Sequence, residues 1–228
     1  MQINPDFCYN LITARLIPER TIRYRFAVLF SNDLNEDNIM QFVCNFGITD
    51  LSPLKEYKRE YQLWAGMIRR AYDKNLHERL PTYTDCLVAN EFRRFSSFNE
   101  WCQNQRGFGI DDWQLDKDIL QKGNREYHPD KCVFLPREVN AFLRTRKKSR
   151  GAHPIGVTTN SKIDGFLAFL KKDKKKVYLG TFPTPELAFQ AYKAAKEQAI
   201  KDMANKWKDQ IDPRAYTALM NYQVEITD

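Results

Sequence analysis

Residues 114–140 read QLDKDILQKGNREYHPDKCVFLPREVN, and the fold of the central chain turns on this stretch. Apolar Leu115, Ile119, Val133, Phe134 and Leu135 are interleaved with Asp116, Lys117, Asp118, Asn124, His128 and Asn140. So many polar groups on a strand-like pattern point to a site. The spacing predicts a strand over 113–119, a turn at 121–124 built on Lys122-Gly123-Asn124, a strand over 132–135, and a helix starting near Pro136. Such a ββα unit can gather side chains from its first strand and its helix around one point. Alternate strand residues share a face, so Asp116 and Asp118 are expected to point together and Lys117 away, unless a bulge intervenes.

Upstream, EYKREYQLWAGMIRRAYD (56–73) places Tyr57, Tyr61, Trp64, Ile68 and Tyr72 at helical spacing, with Arg69 and Arg70 on the outer side. A second helical pattern over 90–105 gathers Phe92, Phe95, Phe98 and Trp101 on one side. Stripes of this kind are core far more often than base-stacking surfaces. Residues 1–57 read as a small module with a strand over 20–30 and a helix over 35–46. Packing or binding of a partner protein is its plain reading, and phosphate contacts by Arg20, Arg23 and Arg25 are the alternative.

Downstream, RTRKKSRGAHP (144–154) is a basic linker and the clearest domain boundary. Three short strands follow, then a long helix with Thr184 as N-cap and Pro185 at its first position. Ala188, Ala191, Tyr192, Ala195, Ala199 and Met203 give that helix a flat face that a sheet can approach closely. A short helix and a returning segment complete the chain. The fold class expected is α+β: an N-terminal module (1–57), a ββα domain (58–143), the linker, and a three-stranded antiparallel sheet on one helix (155–228).

With 228 residues, 43% hydrophobic and 29% charged, the composition is that of an ordinary folded protein. No apolar run approaches the roughly 18 residues of a membrane-spanning helix, and no signal-peptide pattern opens the chain. A soluble, intracellular protein without a membrane partner is the expectation. The five cysteines are scattered and form no C-x-x-C pair, so reduced thiols are favoured over a structural zinc. The net charge of +7 is unevenly distributed: residues 144–176 hold eleven Lys or Arg against two Asp, a local +9. Local basicity points to a polyanion-binding surface.

Two resemblances sharpen this picture. The C-terminal DGFLAFL (164–170) and VYLGTFPTPELAFQAYKAA (177–195), within about 155–200, are similar to the DNA-binding domain of plant ethylene-response factors, a sheet that enters the major groove of double-stranded DNA. Its YLGTF strand end and T-P-E-x-A-x-x-A-Y are the most specific part. The central WQLDKDILQKGN (113–124) and YHPDKCVFLPREVN (127–140) resemble bacteriophage endonucleases of the HNH (His-Me finger) class, the homing kind among them, whose members often carry such a C-terminal domain. The likeness spans about 57–228 and implies an infected bacterium's cytoplasm as the setting.

The HNH resemblance implies a site. Asp116 stands at the metal-binding Asp, Asn140 at the last metal-binding Asn, Asn124 near the middle Asn, and Lys117 where the catalytic His belongs. Hard oxygen ligands suit Mg²⁺ or Mn²⁺, with Asp118 a further candidate ligand. An ordinary lysine has a pKa of about 10.4, so roughly one in a thousand is neutral at pH 7, which makes Lys117 a poor general base and a better phosphate clamp. His128 could supply the base, metal-bound hydroxide could act without one, or the fold could persist without cleavage; an exposed loop imidazole is the plain reading of His128.

On the C-terminal sheet, the resemblance implies that Phe166, Ala168, Leu170, Val177, Leu179 and Phe182 face the helix. Leu167, Phe169, Lys171, Lys176, Tyr178 and Thr181 then face DNA, joined by Arg146, Lys147, Lys148 and Arg150 of the linker. The run KKDKKK (171–176) is either a phosphate contact or a solvated hairpin loop. The leading expectation is a metal-dependent HNH DNA endonuclease. Its rival is a protein of the same fold that binds DNA or a host partner without cutting.

Overall fold

The computed structural model describes residues 41–144, 152–172 and 175–228. The strand expected over 20–30 and the linker residues Arg146, Lys147, Lys148 and Arg150 lie outside the described residues. Among the described residues the chain is mixed α and β, with six α-helices, small two-stranded sheets and one three-stranded antiparallel sheet. No described helix is long and apolar enough to cross a membrane. Cys44, Cys86, Cys102 and Cys132 are free thiols.

The first described element is a hairpin, β1 (Gln41–Val43) with β2 (Gly47–Thr49), not the end of a helix. Cys44 and Asn45 both take positive φ, 52° and 55°, which turns the chain where a helix was expected to run on to residue 46. Gly47 lets β2 lie directly against the Trp64 ring. Helix α1 (Lys58–Tyr72) follows, with Trp64, Met67 and Ile68 buried. Arg69 is exposed as expected. Arg70 instead turns inward, where its Nε donates to Tyr127 Oη and its guanidinium lies over the Tyr127 ring.

After α2 (Lys74–Arg79) and the short strand β3 (Leu87–Val88), the helix expected over 90–105 divides. A 3-10 turn covers Asn90–Phe92, Arg94 is extended, and α3 begins at Phe95 and ends at Gln103. The break has a cause. Asp50 accepts from the Ser96 amide at 2.9 Å, from Ser96 Oγ at 2.7 Å and from Arg94 Nη1 at 3.2 Å, so a carboxylate from outside the helix caps its first turn. Burial pushes the Asp50 carboxyl up, but the Ser96 and Arg94 bonds outweigh it and leave the pKa lowered. A lowered carboxyl adds stability above its ordinary pKa that is lost as pH falls through the folded value. Asp50→Ala should therefore cost about 1–2 kcal/mol at pH 7, and the gap in melting temperature from the parent should close on acidification.

Phe92, Phe95 and Phe98 are fully buried and Trp101 packs edge-on to Phe92, so the aromatic stripe is core. Strand β4 (Trp113–Asp116) pairs antiparallel with β6 (Val133–Pro136), Trp113 opposite Pro136 and Asp116 opposite Val133. Between them β5 (Glu126–Tyr127) runs parallel to β3, and α4 (Arg137–Leu143) closes the unit.

Beyond residue 151, β7 (Val157–Asn160), β8 (Ile163–Lys172) and β9 (Lys175–Phe182) form the sheet in the order β7-β8-β9. Helix α5 (Pro185–Trp207) packs against it, with Thr184 Oγ1 accepting from the Leu187 amide and Pro185 at the first position, as expected. Helix α6 (Pro213–Met220) and the segment after it fold back, burying Val224.

The described residues belong to one compact unit, and one hydrophobic core runs through both the ββα segment and α5–α6. Trp113 meets Trp207 edge-on at 6.0 Å. Glu138 accepts from Lys206 Nζ and Trp207 Nε1, Phe142 O from Lys196 Nζ, and Ile211 O from Arg106.

Candidate functional site

Asp116 ends β4 by its own side chain. Its Oδ1 accepts from the amides of Asp118 and Ile119, both at 2.8 Å, which bends the chain out of the strand. The expected strand to residue 119 is thus cut short, and the parity argument for Asp116 and Asp118 falls with it, because 118 is no longer a strand position. Burial pushes the Asp116 carboxyl up, and Asp118 adds to the rise against the two amide bonds.

Lys117 is buried, only 6% exposed. Its Nζ donates to Asp118 Oδ1 at 2.6 Å and to Asn124 O at 2.7 Å, and lies 5.7 Å from the centre of the Tyr127 ring. Asn124 answers from the other side of the loop. Its Nδ2 donates to Lys117 O and to Glu126 O, each at 2.7 Å, while Oδ1 accepts from the Glu126 amide at 3.1 Å. Lys117 and Asn124 together lock residues 117–126 into one shape, and both side chains are spent in doing so.

His128 is three-quarters covered, and its Nδ1 accepts from the Asp130 amide at 3.1 Å. With that lone pair engaged, the ring hydrogen belongs on Nε2, which faces Glu91 Oε1 at 3.8 Å.

Asn140, on α4, donates from Nδ2 to Gln114 Oε1 at 3.3 Å. Gln114 precedes Asp116 by two on β4, so the two share a face, and Asn140 is brought to that face. Among the described residues no donor meets Asp116 Oδ2 or Asn140 Oδ1. These two oxygens are the ones a hard cation could use. Among the described residues no three His, Cys, Asp or Glu side chains come close enough to cage a metal. Mg²⁺ or Mn²⁺ held by Asp116 and Asn140 would have to draw the rest of its oxygen ligands from outside these residues.

The sheet presents a second group of the expected residues. Lys171 pairs with Lys176 and Phe169 with Tyr178 across β8 and β9. The Phe169 and Tyr178 rings are 5.4 Å apart and tilted by 53°, Lys176 Nζ stands 3.8 Å above the Phe169 ring, and Tyr178 Oη bonds Thr181 Oγ1 at 2.7 Å. Tyr178 and Thr181, three apart, would lie on opposite faces of a regular strand. A bulge at Leu179, with Ala168 opposite Gly180 and Phe169 opposite Tyr178, returns them to one side. The register keeps Leu167 on the face of Thr181 and Val177 on the face of Leu170, as expected, but their exposures differ from what those faces suggest. Leu167 is buried, since it lies on the central strand between Thr158 and Thr181, and Val177 is 43% exposed, since it lies on an edge strand near the hairpin tip.

Several partners escape a reading of the sequence. Gln114, Glu91 and Tyr127 matter through contacts made across the fold, and only Gln114, two residues from Asp116, carries a signal in its spacing. Lys122 is another case. Its Nζ donates to Gln223 O and to Asp228 Oδ2 at 2.9 and 2.8 Å, so residues 222–228 clamp the loop that bears Lys117. Compared with known protein families, curated proteins and solved structures, the chain matches none.

Proposed function

We propose that this chain binds double-stranded DNA through the outward face of β8 and β9, with the ββα unit as an HNH-like scaffold beside it. The observation that carries this reading is the continuous surface of Phe169, Lys171, Lys176, Tyr178 and Thr181, in the part of the chain where positive charge is concentrated. Lysines there can neutralise phosphates while the ring and methyl groups meet sugars and base edges. The likeness to the ethylene-response-factor domain supports the same surface.

A second reading, metal-dependent cleavage of a phosphodiester, is favoured by the two open oxygens of Asp116 and Asn140. Those residues would hold Mg²⁺ or Mn²⁺, whose chemistry when bound is to neutralise charge on the phosphate and on the leaving 3′ oxygen. With Lys117 Nζ held by Asp118 and Asn124 and His128 Nδ1 by the Asp130 amide, this reading leaves water to lose its proton without either of those atoms.

Supercoiled plasmid with Mg²⁺ or Mn²⁺ separates the two. The expected result is a mobility shift with no nicked product, unchanged in Asp116→Ala and Asn140→Ala. Nicking by the parent that both substitutions abolish would make the second reading the right one. Absence of any shift would remove the first.

A further inference from the structure

Strands β8 and β9 together contain no Arg, Asn, Gln, His or Glu. Direct reading of bases in the major groove depends on side chains with paired donors and acceptors: Arg or Lys on guanine, Asn or Gln on adenine, Glu or Asp on cytosine. Of these only lysine and one aspartate are present. Lys171, Lys172, Lys175 and Lys176 all sit at the hairpin end of the sheet, and Asp164 at the other end.

Several polar groups of these two strands are already engaged. The hydroxyls of Tyr178 and Thr181 bond each other, Lys176 is drawn over the Phe169 ring, and Lys172 is paired with Asp202 at 3.4 Å. A duplex laid on this surface meets a tyrosine ring, a threonine and, at one end only, ammonium groups, and β8 and β9 offer it no Arg, Asn or Gln fork for a bidentate base contact.

We infer that the outward face of β8 and β9 holds duplex DNA without discriminating its sequence, an inference that rests on the DNA-binding reading above. Duplex is favoured over single strand by the state of the aromatic pair. Binders of single strands stack successive bases on open ring faces. Here Lys176 caps Phe169, the rings are tilted, and Tyr178, 56% exposed, is the one open platform of the pair. Affinity then comes from released counterions, so it depends on salt and on the lysines and not on the base pairs.

Fluorescence anisotropy of the full chain tests this with labelled duplexes of about 20 base pairs, A·T-rich, G·C-rich and mixed, and with a single strand of the same length, over a range of salt. Dissociation constants for the three duplexes are expected to agree within about threefold, against ratios of roughly 10³ or more for a sequence-specific binder. The single strand should bind at least about tenfold more weakly. Lys171→Gln with Lys176→Gln should lower the slope of log K against log salt by about 1.8 on every duplex, at about 0.9 for each phosphate no longer neutralised. Tyr178→Ala should weaken all three duplexes by the same factor. A preference of tenfold or more among the duplexes overturns sequence indifference while leaving DNA binding in place, and tighter binding of the single strand overturns the choice of duplex. An unchanged slope in the double variant overturns the assignment to this face. Failure to bind any duplex removes the DNA-binding reading and this inference together.

Discussion

Asn124→Ala should cost about 3 kcal/mol of stability and lower the melting temperature by roughly 6–12 °C, at about 2–4 °C per kcal/mol for a chain of this size. The amide makes three hydrogen bonds in a site that is 7% exposed, and its removal strands Lys117 O, Glu126 O and the Glu126 amide. Each buried polar group left without a partner costs about 1–3 kcal/mol; Glu126 is half-buried, so water recovers part of its share. Asn124→Asp is the sharper comparison. The substitute has the same shape, but the oxygen replacing Nδ2 would face two carbonyl oxygens, so it should be at least as destabilising as alanine at pH 7. Urea titrations of the three proteins measure this, and a variant with aspartate as stable as the parent would show that the loop is not held through Nδ2.

The second large effect belongs to Gly107. Its φ of +86° is one that side chains rarely adopt, and a methyl group built there would overlap the Trp113 ring. Trp113 in turn meets Trp207 edge-on, so pressure at residue 107 passes to the contact between β4 and α5. Gly107→Ala should cost about 3 kcal/mol, roughly 1 from the backbone and the rest from displacing the indole. In a Trp113→Ala background, which itself should lose about 3–5 kcal/mol, the same change should cost only the backbone share. Equal costs in both backgrounds would show that the indole is not what Gly107 makes room for.

The parts of the fold that are legible in the sequence are those fixed by local chemistry. Thr184 and Pro185 announce α5 because cap and first turn lie side by side in the chain, and the strands β7, β8 and β9 are marked by their turns. Phe92, Phe95 and Phe98 declare a core by spacing alone. What the sequence hides depends on long-range contact. Asp50 caps α3 across 46 residues, and no pattern near Phe95 reveals that Arg94 must be extended. Cysteine is no turn signal, so the hairpin at Cys44 and Asn45 reads as helix until the fold is seen.

The candidate site divides the same way. Asp116 and Asn140 are placed by strand and helix, and Asn140 reaches Gln114, two residues from Asp116 on β4. The fate of Lys117 is decided by Tyr127 and Asn124, which close over it only when β5 joins β3. A lysine that reads as a phosphate clamp is, in the folded chain, the pin of a loop.

The contact of Trp113 and Glu138 with Trp207 has a geometric consequence for anything the sheet holds. Since the ββα unit and α5 share one core, the sheet cannot swing on the linker as a tethered module would. On the proposed reading, a duplex on β8 and β9 would meet the ββα unit at an offset fixed by packed side chains and not by a tether.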